Sequence, residues 1–138
     1  MASSFFKKGI ILLIAVIMVA GLSSCKKAML NNLKTYLSIT WKISQYTKNE
    51  NDSTTAFHVI RPDYQIIFGR DGNYTESFKS LNIPIAVNGS WEFLDDGARL
   101  MLTDNSTARN FEVNELKEDK LTLTLKGADT EKFYFIPK

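Results

Sequence analysis

Residues 64–78 read Tyr64-Gln65-Ile66-Ile67-Phe68-Gly69-Arg70-Asp71-Gly72-Asn73-Tyr74-Thr75-Glu76-Ser77-Phe78, and this stretch sets the fold class. Tyr64, Ile66 and Phe68 recur at every second position, Arg70-Asp71-Gly72-Asn73 interrupts, and from Tyr74 the period of two resumes toward Ser80. Successive side chains of an extended strand point to opposite faces, so this period marks a strand with one buried face. An Asp-Gly pair tolerates the positive φ that a tight hairpin turn requires. Two antiparallel strands joined by a short turn follow.

The same period recurs on both sides. Upstream, Ile39, Trp41 and Ile43 alternate with Thr40, Lys42 and Ser44. Downstream, Gly89, Trp91 and Phe93 share a face until Asp95-Asp96-Gly97, and Leu100 and Leu102 precede the break at Asp104-Asn105-Ser106. Phe111 and Val113, then Leu121, Leu123 and Leu125, then Phe133 and Phe135 complete the series. Eight strands at roughly ten-residue spacing, with no helical pattern between them, predict an antiparallel meander closed into a barrel or folded as a sandwich. A barrel is expected, because closure removes exposed strand edges. The one long connection, residues 47–63, is rich in Asn, Ser, Thr and Asp and is expected to be an irregular loop or lid.

The N-terminal part has another pattern. Lys7 and Lys8 precede an apolar run from Gly9 to Leu22, which ends in Leu22-Ser23-Ser24-Cys25. A basic start, a short apolar stretch and small residues before the cut make an export signal, and the stretch is short for a membrane span of about 20 residues. The quartet before and including Cys25 resembles the lipobox of bacterial lipoproteins. That resemblance implies a diacylglyceryl group on the Cys25 thiol, cleavage before it, and acylation of the freed amine. The alternative is an uncleaved anchor helix with an incidental cysteine. Residues 26–38 carry Met29 or Leu30, Leu33 and Leu37 at helical spacing, which predicts a short helix that plugs or flanks the domain. The expected organisation is a signal peptide over residues 1–24, a lipid-anchored tether with a short helix over 25–38, and the barrel domain over 39–138.

Removing the leader leaves 114 of 138 residues, enough for one domain, and 44% hydrophobic with 12% aromatic residues suffices for a packed core. The formal charge of +2 comes from Lys7 and Lys8, so the remaining chain balances 15 basic against 15 acidic side chains. That balance lacks the clustered positive face of a nucleic-acid binder. Lys26-Lys27, just after the anchor, suits attraction to anionic headgroups. With Cys25 the only cysteine, no internal disulfide can form.

Taken in order, Leu37 to Trp41-Lys42-Ile43, Phe68-x-x-Asp71-Gly72-x-Tyr74, Gly89-Ser90-Trp91 and the alternating leucine strands resemble the small lipocalin-like domains of bacterial outer-membrane lipoproteins, over about residues 37–136. The resemblance implies a compact eight-stranded up-and-down barrel with Trp41 near its floor, where the Gly-x-Trp of lipocalins stands as Ile39-Thr40-Trp41. The resemblance to bacterial lipoproteins further implies that Lys26 after the anchor, in place of an aspartate, is compatible with outer-membrane sorting, and that the periplasmic face is expected, since the acidic run that marks surface display in some bacteria is absent.

No catalytic constellation is visible. His58 is the only histidine and Cys25 is committed to lipid, so neither a nucleophile–histidine pair nor a zinc site has its parts. The aspartates of the predicted turns, Asp95-Asp96-Gly97 included, fit turn chemistry better than a calcium site of six to eight oxygens. Glu76 shares parity with Tyr74 and Phe78, and Arg109 with Phe111, so both could point into the barrel. There they would form a polar anchor within an apolar cup; otherwise both lie at the open rim in water. The candidate ligand-binding residues are Glu76, Arg109, Tyr74 and Trp91. The expected protein is a monomeric, non-enzymatic envelope lipoprotein without cofactor or metal, held to the membrane through Cys25, that binds a small apolar or amphipathic ligand. The competing expectation is a protein–protein interaction or structural module with a solid core, since an eight-stranded barrel is wide enough either to be filled or to hold one small ligand.

Overall fold

The structure, a computed structural model, describes residues 23–138; of the leader expected over residues 1–24, residues 1–22 lie outside the described residues. Helix α1 occupies residues 23–37, with Cys25 exposed and its thiol free. Among the described residues no helix is long and apolar enough to cross a membrane. Chain contacts divide at residue 32, and the compact unit is Leu33–Lys138. It therefore takes in the last turn of α1, which the sequence assigned to the tether.

The unit is a closed antiparallel barrel of eight strands. In chain order these are β1 (Thr40–Lys48), β3 (Gln65–Phe68), β4 (Asn73–Ser80), β5 (Ile83–Leu94), β6 (Arg99–Asp104), β7 (Thr107–Lys117), β8 (Lys120–Lys126) and β9 (Thr130–Pro137). Each pairs with the next, and β9 returns to β1 through seven partners from Trp41–Pro137 to Lys48–Glu131. A two-residue strand, β2 (Asn51–Asp52), folds back on the end of β1. The barrel inferred from two-residue periodicity is thus the fold found.

Alternation is what fills the interior. Trp41, Ile43, Ile66, Phe68, Tyr74, Trp91, Leu100, Leu102, Phe111, Leu121, Leu123 and Phe135 are all buried, while their strand neighbours mostly face outward. The phase slips once on β1, where a bulge between Ile43 and Gln45 turns Tyr46 inward. An extra residue in one strand shifts every later side chain to the other face.

The two ends differ. At the closed end Leu37, the last residue of α1, is fully buried, and its carbonyl accepts the Trp41 indole N–H at 3.0 Å. The β3–β4 turn packs there as well. Gly72, at φ +87°, gives its carbonyl to the Trp91 backbone N–H at 2.8 Å, and the Trp91 indole N–H donates to the Gly69 carbonyl at 2.9 Å. The Phe68…Asp71-Gly72…Tyr74 and Gly89-Ser90-Trp91 signatures therefore belong to one structural unit that closes this end.

At the opposite end β1 leaves β3 early. They pair only over Thr40–Lys42 with Ile67–Gln65, so the wall beyond is split. The connection across the split is not irregular as expected: it carries β2 and a two-turn helix, α2 (Thr54–Ile60). Asp52 accepts from the Thr54 backbone N–H at 3.0 Å and from its hydroxyl at 2.6 Å, and the Thr54 hydroxyl oxygen accepts the Tyr46 N–H at 2.9 Å. These bonds satisfy donors at the helix start and at the unpaired edge of β1 together. The helix is held by one buried side chain, Phe57, whose ring lies 5.0 Å from that of Tyr46 and 5.3 Å from that of Tyr64.

Candidate functional site

Beneath α2 the barrel is not filled. A cavity of about 450 Å³ lies between the helix and the middle of the barrel, within the range of small-ligand sites. Phe57, Ile66, Leu102, Phe111, Leu123 and Phe133 give it apolar walls. The exposed Ile60 and Lys48 also line it, so it reaches solvent at the α2 end. Trp41, Phe68 and Trp91 fill the lower half, and none of the three lines the cavity.

One wall is polar. Arg109 binds Glu76 in a two-pronged pair, with Nη1 donating to Oε1 at 3.1 Å and Nη2 to Oε2 at 2.9 Å. The Tyr64 hydroxyl donates to the same Oε1 at 2.7 Å. Arg109 Nη2 also donates to the Tyr74 hydroxyl at 3.2 Å, which in turn donates to Asp104 at 3.3 Å. Glu76 is only 5% exposed. A carboxylate so buried is tolerated because both of its oxygens are bonded and an opposite charge faces it.

The network shifts its own acidities. Burial, reinforced by the charge of Glu76 and the hydrogen bond to it, pushes the Tyr64 phenol well above its usual range. Burial likewise raises Tyr74. For Arg109 burial alone would lower the value, but the bonds and charge of Glu76 outweigh it and raise the guanidinium further, so it stays charged. Across the cavity the Tyr46 hydroxyl donates to Glu131, and burial together with that bond raises Tyr46 too.

Of the four residues singled out in the sequence, Glu76 and Arg109 meet in the cavity wall, inside the barrel and not at its rim. Tyr74 stands behind Arg109 and holds it, without lining the cavity. Gly89, opposite Tyr74 on β5, makes that position available: a Cβ there would lie 2.6 Å from the tyrosine ring. Trp91 faces inward but at the closed end, edge-on to Phe68 and Phe93, away from the cavity. Tyr46, Phe57, Arg61 and Glu131 line the cavity and were not singled out. Tyr46 was hidden by the bulge, and Phe57 and Arg61 by a connection too polar to show a helical period.

The arrangement offers no nucleophile–base pair, and among the described residues no group of three or more His, Cys, Asp or Glu could hold a metal ion. What it offers chemically is a greasy volume with a fixed, internally neutralised polar wall.

No protein-family model matches the chain, and no curated protein resembles it significantly in sequence. Its likenesses are structural. A crystal structure of a lipocalin-like protein from Bacteroides uniformis ATCC 8492 superposes with a TM-score of 0.58 at 15% identity, covering 74% of this chain and 98% of that one. An uncharacterized protein from Bacteroides eggerthii DSM 20697 superposes with a TM-score of 0.56 at 13% identity, covering 74% and 99% respectively. The fold is lipocalin-like.

Proposed function

We propose that this protein is a non-enzymatic binding protein that takes one small apolar or amphipathic molecule into the cavity beneath α2. The observation that carries the reading is the cavity itself: about 450 Å³ left open in a barrel whose other half is tightly filled. Protein interiors are close-packed, and a void of this size lined by side chains such as Phe111 and Leu123 forgoes dispersion contacts that a ligand would restore. The lipocalin-like fold supports the same reading, as does a lid held by a single aromatic plug.

In this proposal the chain is exported, and Cys25 bears the acyl groups that hold it to the outer membrane on the periplasmic face. Two or three acyl chains, at about 0.8 kcal/mol per buried methylene, make such an attachment durable. The exposed thiol on α1 is compatible with that role. The barrel acts as a monomer.

A second reading has its own observation. Val59, Ile60, Leu81 and Ile83 are all exposed, and a docking module would use such side chains against a partner protein. Native mass spectrometry of the protein purified from its own envelope separates the two. The binding reading expects an added small-molecule mass at one per chain that disappears in Leu125→Trp, a substitution that fills the mouth. Protein free of added mass from every host lipid background supports the docking module instead.

A further inference from the structure

The charged side chains around the cavity are unequally occupied. Five line it: Lys48, Arg61, Glu76, Arg109 and Glu131. Lys48 pairs with Asp129 at 2.7 Å, Glu76 with Arg109 at 2.9 Å, and Glu131 accepts from Tyr46. Arg61 alone has no hydrogen-bonding or ionic partner for its side chain among the described residues. Its guanidinium lies 5.9 Å from the centroid of Phe57 and 5.3 Å from that of Phe78. Aromatic faces hold the flat of a guanidinium and leave its N–H edges free to donate.

We propose that Arg61 is the head-group receptor of this cavity, and that the ligand is an amphipathic monoanion: an apolar body under α2 with a terminal carboxylate on the Arg61 guanidinium. The inference rests on the binding function proposed above and narrows it. Glu131 lines the same cavity with the Tyr46 hydroxyl as its partner and no ion pair among the described residues, so the lining carries little net charge and repels a phosphate monoester with close to two charges more than a singly charged carboxylate. The planar fork suits both carboxylate oxygens at once. Arg109 is not the receptor, because its charge is paired with Glu76 and three of its five N–H donors go to Glu76 and Tyr74. Arg61 follows α2 directly, its backbone N–H bonded to the Phe57 carbonyl at 2.8 Å, so the plug and the receptor move together. Head-group capture would thereby hold the helix down over the apolar body.

The test displaces a neutral fluorescent dye, N-phenyl-1-naphthylamine, with decanoate and with decan-1-ol, which share a chain length and differ in charge. For the unaltered protein the expected result is displacement by decanoate at about tenfold lower concentration than by the alcohol, the worth of one charge-assisted hydrogen-bonded contact at a half-exposed site. Arg61→Gln should bring decanoate to the level of the alcohol, both measured against the dye's own affinity for that variant. Equal displacement by both compounds, or a decanoate preference that survives Arg61→Gln, overturns the assignment while leaving the cavity a binding site. Failure of the dye to bind at all removes the binding function itself.

Discussion

Breaking the Glu76–Arg109 pair one partner at a time tests whether it is a buried network. Replacing Arg109 by Met leaves a carboxylate that is 5% exposed with only the Tyr64 hydroxyl to meet it. Removing one partner of a buried pair costs about 3–5 kcal/mol, and because the Arg109 side chain is 25% exposed on the cavity side we expect a loss of about 2–3 kcal/mol. Glu76→Met orphans the Tyr64 hydroxyl and leaves Arg109 to Asp104, 3.7 Å away, for a loss of about 2 kcal/mol. The double variant removes both charges and leaves only the tyrosine unsatisfied. It should therefore cost about 2 kcal/mol, well short of the sum of the two single losses, which is a coupling of about 2 kcal/mol or more. Urea unfolding followed by the fluorescence of Trp41 and Trp91 reads these values, provided the m-value is unchanged. Single losses below about 0.5 kcal/mol that simply add would refute the reasoning, since that is the behaviour of a solvated surface pair.

Other expectations follow from single positions. Gly89→Ala would push a methyl to 2.3 Å from the Thr103 carbonyl oxygen and against the Tyr74 ring, so thermal unfolding should fall by the equivalent of about 1–3 kcal/mol. Leu81 occupies a left-handed conformation at φ +49° on a hairpin tip, 93% exposed, followed by Asn82 at φ +64°. Replacing the pair by Asn-Gly, which favours this turn, should raise stability by about 1 kcal/mol in a calorimetric scan, and a loss would contradict the strain argument. The folded state holds Tyr64 neutral above its ordinary value of 10.0, so its contribution is complete below that value and fades as pH rises past it. Stability should fall by about 1.4 kcal/mol per pH unit above about pH 10 from this residue, read by urea unfolding at a series of alkaline pH values. Tyr64→Phe should remove that share of the alkaline slope and leave the shares of Tyr46 and Tyr74. Cys25→Ser should release the protein from the membrane fraction, and retention there would count against the acyl anchor.

Much of the barrel was legible because one buried face imposes a period of two, and the eight strands came from that period alone. Parity also carried Glu76 and Arg109 inward, since each shares its phase with aromatic neighbours that must be buried. Parity gives the face of a strand but not the height along the barrel, which depends on register. Trp91 and Arg109 both point inward and pair with the same Leu102 from its two sides, yet the strands tilt around the barrel, so Trp91 sits by the Gly72 turn whereas Arg109 reaches across to Glu76. The bulge at Ser44 changed the phase of β1 without a sequence signal, because Ser44 and Gln45 are both polar. α2 escaped notice for a different reason. Seven residues with one buried side chain make no helical stripe, and the helix is sustained by tertiary contacts of Phe57 and by Asp52–Thr54 bonding. The Leu81–Asn82 turn was equally silent, as leucine is not a residue that announces a left-handed turn.

The central claim is that a ligand enters the upper half of the barrel and nowhere else. Methyl resonances followed while N-phenyl-1-naphthylamine is titrated into the protein locate it directly. The account predicts saturable shifts at Ile66, Leu102, Leu123 and Leu125, with Leu37 and Leu121 at the closed end unmoved. Shifts confined to Leu81 and Ile83 on the outside, or spread evenly over the molecule, would contradict it.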